Sequence, residues 1–266
     1  MSEERKITIK PFLDDRVKGI TFAGKVFYPL YLRVNFLNKG TMIKVLNREE
    51  ESYFVDVESF NKINEKQGLN EGFGTPGRTL MIKSTLVATA VKLEHELKQD
   101  RFDFKSFTRK LKIWERPLFN VLKAHFIDLL HQKALGTITD INEFNALNFD
   151  WSIRNEQQTK LLFELIEIDD DLKLAGQTLV AYHLYENLIL KRVVDFKYAA
   201  FETGSVLHWL TNQDRGEFVI SKKEVSSKAA KEKGHFSPSF LTYFTPVKEK
   251  YFEYQKYIDN IIKDLR

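Results

Sequence analysis

A chain of 266 residues, 43% hydrophobic and 29% charged, is long enough to bury a core and to hold two domains. The absence of cysteine excludes disulfides, thiolate metal sites and cysteine nucleophiles. No run approaches the roughly 18 apolar residues of a membrane span, and the opening MSEERKITIK lacks the apolar stretch of a signal peptide. A cytoplasmic protein with no membrane partner is therefore expected, and twenty-two phenylalanines point to cores built from aromatic rings.

The first ~60 residues read as strands, expected at Ile7–Ile9, Ile20–Val26, Tyr28–Phe36, Thr41–Leu46 and Tyr53–Val57. Within Tyr28–Lys44, Leu30, Leu32, Val34 and Phe36 alternate with Tyr31, Arg33 and Asn35, which places an apolar set and a polar set on opposite faces. Asn38-Lys39-Gly40 offers a short turn with a glycine for positive φ. After it, Thr41, Ile43 and Val45 face away from Met42, Lys44 and Leu46. Residues 1–48 carry ten Lys/Arg against four acids, a local charge of +6 where the whole chain has +4. Such asymmetry fits a module that neutralises phosphates. It fits equally the lysine-rich outside of a small sheet.

Residues 61–78 (NKINEKQGLNEGFGTPGR) read as a polar linker. Ile82, Leu86, Ala90, Leu93 and Leu97 then lay a stripe along a helix from Thr79 to Lys98. Phe102–Leu111 is a shorter amphipathic helix with Phe104, Phe107 and Leu111 on one side, and Pro117–Leu135 a third. Glu156–Ile168 ends at Asp169-Asp170-Asp171, and Leu172–Phe201, interrupted at Gly176, has the composition of a central buried helix. Ser205–Thr211 supplies one more turn. Ser221–Gly234 is lysine-rich and nearly devoid of large hydrophobes, as in a basic linker. A last helix begins at Thr245-Pro246, with Val247, Tyr251, Tyr254, Ile258, Ile261 and Leu265 at heptad spacing, and is expected to pack on its own domain. The fold class is thus α+β: a small N-terminal antiparallel sheet (1–60), a linker (61–78), a helical domain (79–220), a basic linker (221–234) and a C-terminal helical segment (235–266).

Tyr28-Pro29-Leu30-Tyr31-Leu32-Arg33-Val34 resembles the YPL-x-LR-V strand of the arm-type DNA-binding domain found in tyrosine recombinases (integrases) of Bacteroidetes and their mobile elements. Phe54–Ile63 is similar to that family's aromatic segment after the sheet, Phe102–Leu111 to its F-S-F-E-x-F helix, and Leu118–Thr139 to the start of its core-binding domain. The resemblance covers about residues 18–140. It implies that the sheet docks in a major groove of double-stranded DNA, with Tyr31, Arg33, Asn35 and Lys44 outward and Lys18, Lys25 and Lys39 near phosphates.

The second half departs from the family. A recombinase needs two arginines and a lysine or histidine around the phosphorane-like transition state, and a tyrosine nucleophile. None of the six histidines has arginine three residues on. Gly234-His235-Phe236-Ser237-Pro238 with Thr242-Tyr243 resembles the nucleophile segment, which makes Tyr243 with His235 the one recombinase-like pair. Phe240, Tyr243 and Phe244 read more simply as packing residues. Gly72-Phe73-Gly74-Thr75-Pro76-Gly77 satisfies G-x-G-x-x-G without a βαβ unit and reads as a hinge. Asp169–Asp171 lacks the second carboxylate cluster of a two-metal site, and Lys222–Lys233 is a linker or a phosphate tether. No catalytic residue, metal or cofactor is expected. Three readings stand: a noncatalytic DNA-binding protein of a phage or mobile element; a structural or adaptor protein, such as a virion component, that contacts protein or self-assembles; and a divergent recombinase.

Overall fold

Twelve consecutive residues form one long strand that organises the N-terminal unit. A computed structural model describes residues 6–46, 51–64, 76–98, 101–134, 156–186, 204–211 and 250–265, and its class is α+β. The strands are β1 (Thr8–Leu13), β2 (Ile20–Phe22), β3 (Lys25–Phe36), β4 (Lys39–Lys44) and β5 (Phe54–Asp56), each antiparallel to β3. Phe27 is paired with both Ile20 and Asp56, so β2 and β5 occupy opposite edges of β3. Leu30 donates its N–H to Tyr53 and accepts from Val45, so β4 and β5 share an edge; β1 and β2 share the other. Five strands thus make three lanes.

Two tight turns fix this register. Ile20–Val26, expected as one strand, is a hairpin bent at Ala23 (φ 50°) and Gly24 (φ 76°). The second turn lies at Leu37 (φ 53°) and Asn38 (φ 58°), not at Asn38–Gly40. Two successive left-handed residues suit the right-handed twist of the flanking strands. Gly40 lies within β4 opposite Asn35, and a Cβ there would stand 2.6 Å from Asn35 Oδ1. Gly40 thus makes room for the Asn35 amide and takes no part in the turn.

The sheet's inner face carries Leu30, Leu32, Val34, Phe36, Ile43 and Val45, all buried. Three helices belong to the same compact unit: α1 (Val57–Asn64), α2 (Pro76–Lys98) and α3 (Phe104–Trp114). The Phe36 ring meets His95 and Phe102 edge-on at 5.2 and 5.1 Å, and Phe102 continues the aromatic cluster into Phe104 and Phe107. Burying each such ring contributes about 1.5–3 kcal/mol. Asp56 starts α1 by accepting from Ser59 Oγ at 2.7 Å, and Asp103 starts α3 by accepting from Ser106 N–H at 2.8 Å. These helices join the sheet because its inner face needs a cover; the chain's two compact units divide at Trp114/Glu115. Residues 61–64 and 76–78 of the expected linker are helical, and Pro76 opens α2 three residues ahead of Thr79, since its fixed φ suits a first helical position.

The buried side of α2 is Leu80, Leu86, Val87, Ala90, Val91 and Glu94; Leu97 is 44% exposed and Leu93 half-buried. The expected stripe is rotated because Glu94 interrupts the apolar pattern. Its carboxylate is enclosed and accepts from Lys110 Nζ at 2.7 Å, and that ammonium also lies 5.4 Å over the Trp114 ring.

The second unit spans Glu115–Arg266. Its described helices are α4 (Leu118–Ala134), α5 (Glu156–Ile166), α6 (Asp170–Tyr185), α7 (Val206–Thr211) and α8 (Tyr251–Ile262), with a 3-10 turn at Lys263–Leu265. α6 is central and packs on α4, α5 and α8. Gly176 does not interrupt it: a Cβ there would fall 2.3 Å from Ile166 Cγ2 and 3.2 Å from Phe126 Cε2, so its absence lets three helices close together. On α8 the buried residues are Tyr251, Tyr254, Ile258 and Ile262. The final step of four replaces the expected heptad step to Ile261, as a helix packed within its own bundle requires.

Candidate nucleic-acid interface

Residues directly opposed in an antiparallel pair share a face. The pairings of β1, β3 and β4 therefore give the outer face three rows: Thr8–Asn35–Gly40, Lys10–Arg33–Met42 and Phe12–Tyr31–Lys44. Lys10, Arg33, Asn35, Met42 and Lys44 are exposed; Phe12 and Tyr31 are half-buried. None of the three strands contains an acidic residue. Asp14, one residue past β1, is bound by Arg16 Nε at 2.9 Å, which holds its carboxyl below the usual range.

Arg33 is held in place. Its guanidinium lies 4.6 Å over the Phe12 ring, and Arg16 approaches the same ring at 5.8 Å. Such stacking contributes about 0.5–1 kcal/mol at an exposed site and uses the guanidinium plane, not its N–H edge. Asn35, in the next row, has its amide across Gly40. Three lanes span roughly 10 Å between their outer axes, close to the ~12 Å width of a major groove.

The seven candidate residues do not form one cluster. Tyr31, Arg33, Asn35 and Lys44 share the face. Lys39 pairs with Phe36 and so leaves the sheet on the inner side, where its charge helps lower the Asp103 carboxyl. Lys25 is eight residues along β3 from Arg33, about 26 Å at ~3.3 Å per residue, and its Nζ meets Glu58 at 3.3 Å. Lys18 is exposed in the turn between β1 and β2. Two members of the face, Lys10 and Phe12, fall outside the strand expected to stop at Ile9. β1 continues through Pro11, because an edge strand tolerates proline. The alternation Thr8, Lys10, Phe12 against Ile9, Pro11, Leu13 was the available signal.

The other candidates fall differently. Asp169 is the N-cap of α6, accepting from the N–H groups of Asp171 and Leu172, and Lys133 binds it at 3.2 Å and Asp171 at 3.0 Å. Among the described residues no His, Asp or Glu group could hold a metal ion, and no helix is long and apolar enough to cross a membrane. His235, Tyr243, Lys222–Lys233 and Gly72–Thr75 lie outside the described residues. No protein-family model matches the chain, and neither a curated protein nor a solved structure does.

Proposed function

We propose that the chain is a noncatalytic DNA-binding protein of a phage or mobile element, with the outer face of its N-terminal sheet as an integrase-like arm. The observation that carries this reading is the grouping of Lys10, Arg33 and Lys44 in adjacent positions of an acid-free face, with Arg33 already stacked. Lys10 and Lys44 suit phosphates. Arg33 can donate two hydrogen bonds to guanine O6 and N7, and Asn35 can pair with adenine N6 and N7. The missing His-x-x-Arg pattern favours binding without strand cleavage.

Duplex binding by the full chain, followed by fluorescence anisotropy across a salt series, tests this reading. Two neutralised phosphates, at Lys10 and Lys44, give a log–log slope of about −1.8, so a fourfold rise in salt should weaken binding roughly 12-fold. Absence of binding at low salt, with stable self-assembly or a protein partner in its place, would make the chain a structural or adaptor protein. A covalent DNA adduct lost in Tyr243→Phe would make it a recombinase.

A further inference from the structure

Residues 20–26 are all exposed, on both sides of a two-stranded ribbon. Phe22 is 72% exposed, Ile20 52% and Val26 41%. The register puts Ile20, Phe22, Lys25 and Phe27 on one side and Thr21 with Val26 on the other. At the tip, nothing lies within 4 Å of a Cβ built on Gly24. The root is pinned: a Cβ on Gly19 would stand 2.9 Å from the Phe27 carbonyl oxygen. A ribbon that exposes Ile20 and Phe22 on one side and Val26 on the other has no core to serve here. It projects.

We propose that this hairpin is an apolar wedge that enters a base step of bound double-stranded DNA, with Phe22 as the inserting side chain. The inference rests on the reading of the sheet as a DNA-binding face. Charge complementarity names the occupant. No acidic residue occurs between Asp15 and Glu49, a stretch that holds Arg16, Lys18, Lys25, Arg33, Lys39 and Lys44, and the acids near the hairpin, Asp56 opposite Phe27 and Glu58 on Lys25, stand at its base and not at its tip. The Lys25–Glu58 pair is exposed on both sides and is of the weak kind that a phosphate displaces. A two-stranded ribbon is wider than the ~6 Å of an undistorted minor groove, so entry requires the groove to open, as it does where an inserted side chain kinks the duplex. Because β3 runs unbroken from Lys25 to Arg33, roughly 26 Å, both ends of the strand meet one duplex within a single ~34 Å turn. Apolar side chains flanked by cations are the means by which minor-groove proteins unstack a step and kink the helix.

The test uses the full chain and a duplex of about 30 base pairs, dyed at both ends, with 2-aminopurine beside a central TA step, the kind most easily unstacked. Wild-type protein should shorten the end-to-end distance and raise 2-aminopurine fluorescence about twofold or more. Phe22→Ala, a surface change compatible with folding, should lose both signals while the salt slope of binding stays unchanged; Phe22→Leu should keep most of both. Wild-type binding to a straight, stacked duplex overturns the wedge and leaves the DNA-binding reading standing. Absence of any duplex binding overturns both. Self-association that disappears in Phe22→Ala assigns the hairpin to a second copy of the chain and overturns the wedge.

Discussion

The two units use their polar side chains in opposite ways. On the N-terminal sheet, Lys10, Asn35 and Lys44 stand outward from a face whose reverse carries the buried Leu30, Leu32, Val34, Phe36, Ile43 and Val45. In the helical unit, polar groups tie helices to one another: Trp209 Nε1 donates to Asp259 Oδ1 at 3.1 Å, Tyr254 Oη to Gln177 Oε1 at 3.2 Å, and His125 Nε2 meets Tyr257 Oη at 3.0 Å. Burial pushes the Tyr254 and Tyr257 hydroxyls up to about 12, away from nucleophilic character. A sheet displays one complete face by geometry, since every second residue must point outward. A bundle spends its polar groups on satisfying buried neighbours. The first unit therefore displays the larger outward polar face of the two described, although the second unit is longer.

The contrast can be broken at its supports. The largest expected effect is in the first unit: Lys110→Met leaves the enclosed Glu94 carboxylate without its ammonium and should cost about 3–5 kcal/mol, read as a lowered denaturation midpoint. Replacing Glu94 by Met in the same background should recover much of the loss. In the second unit, Gly176→Ala drives a methyl into Ile166 and should cost about 1–3 kcal/mol, despite a gain in helix propensity of about 1 kcal/mol. A variant more stable than wild type would show that α5 and α6 are not packed this closely.

Acidification should separate the units next. Burial holds the imidazoles of His125 and His208 below their usual pKa, so the folded helical unit resists a proton that the unfolded chain accepts near pH 6.5. Its stability is complete above about pH 6.5 and declines as pH falls through the folded values. In the sheet unit the carboxyls of Asp56 and Asp103 are lowered, by hydrogen bonds from the Ser59 hydroxyl and the Ser106 N–H. Their contribution persists until pH falls below about 4. Hydrogen exchange between pH 7 and 5, corrected for intrinsic rates, should show α4 and α7 loosening before β3; simultaneous loosening would refute the assignment.

Much of this arrangement was legible in particular residues. The alternation from Leu30 to Phe36 fixed both faces of β3, and the Phe104, Phe107, Leu111 spacing fixed the buried side of α3, because each pattern is local and unmixed. The turns were less legible: Leu37 adopts φ 53° although nothing in a leucine favours it, so tertiary pairing of β3 with β4 decides its conformation. The burial of Glu94 and the continuity of the helix through Gly176 are non-local for a related reason. A buried carboxylate and a mid-helix glycine each look like exposure or interruption until a distant partner, Lys110 or Ile166, is in view. On the candidate face, Arg33, Asn35 and Lys44 could be read from one hairpin, whereas Lys10 and Phe12 needed the β1 register, which is a non-local fact.

The central claim is that one side of the sheet, and not its net charge, contacts DNA. Its most direct test compares duplex affinity of Lys10→Ala/Arg33→Ala/Lys44→Ala with that of Lys39→Ala, which removes a cation that leaves from the opposite face. The expected result is loss of about 100-fold or more for the triple variant, with a salt slope shallower by about 1.8 from its two phosphate lysines, and a change under about threefold for Lys39→Ala. Equal losses per charge from the two faces, or an unaffected triple variant, would contradict it.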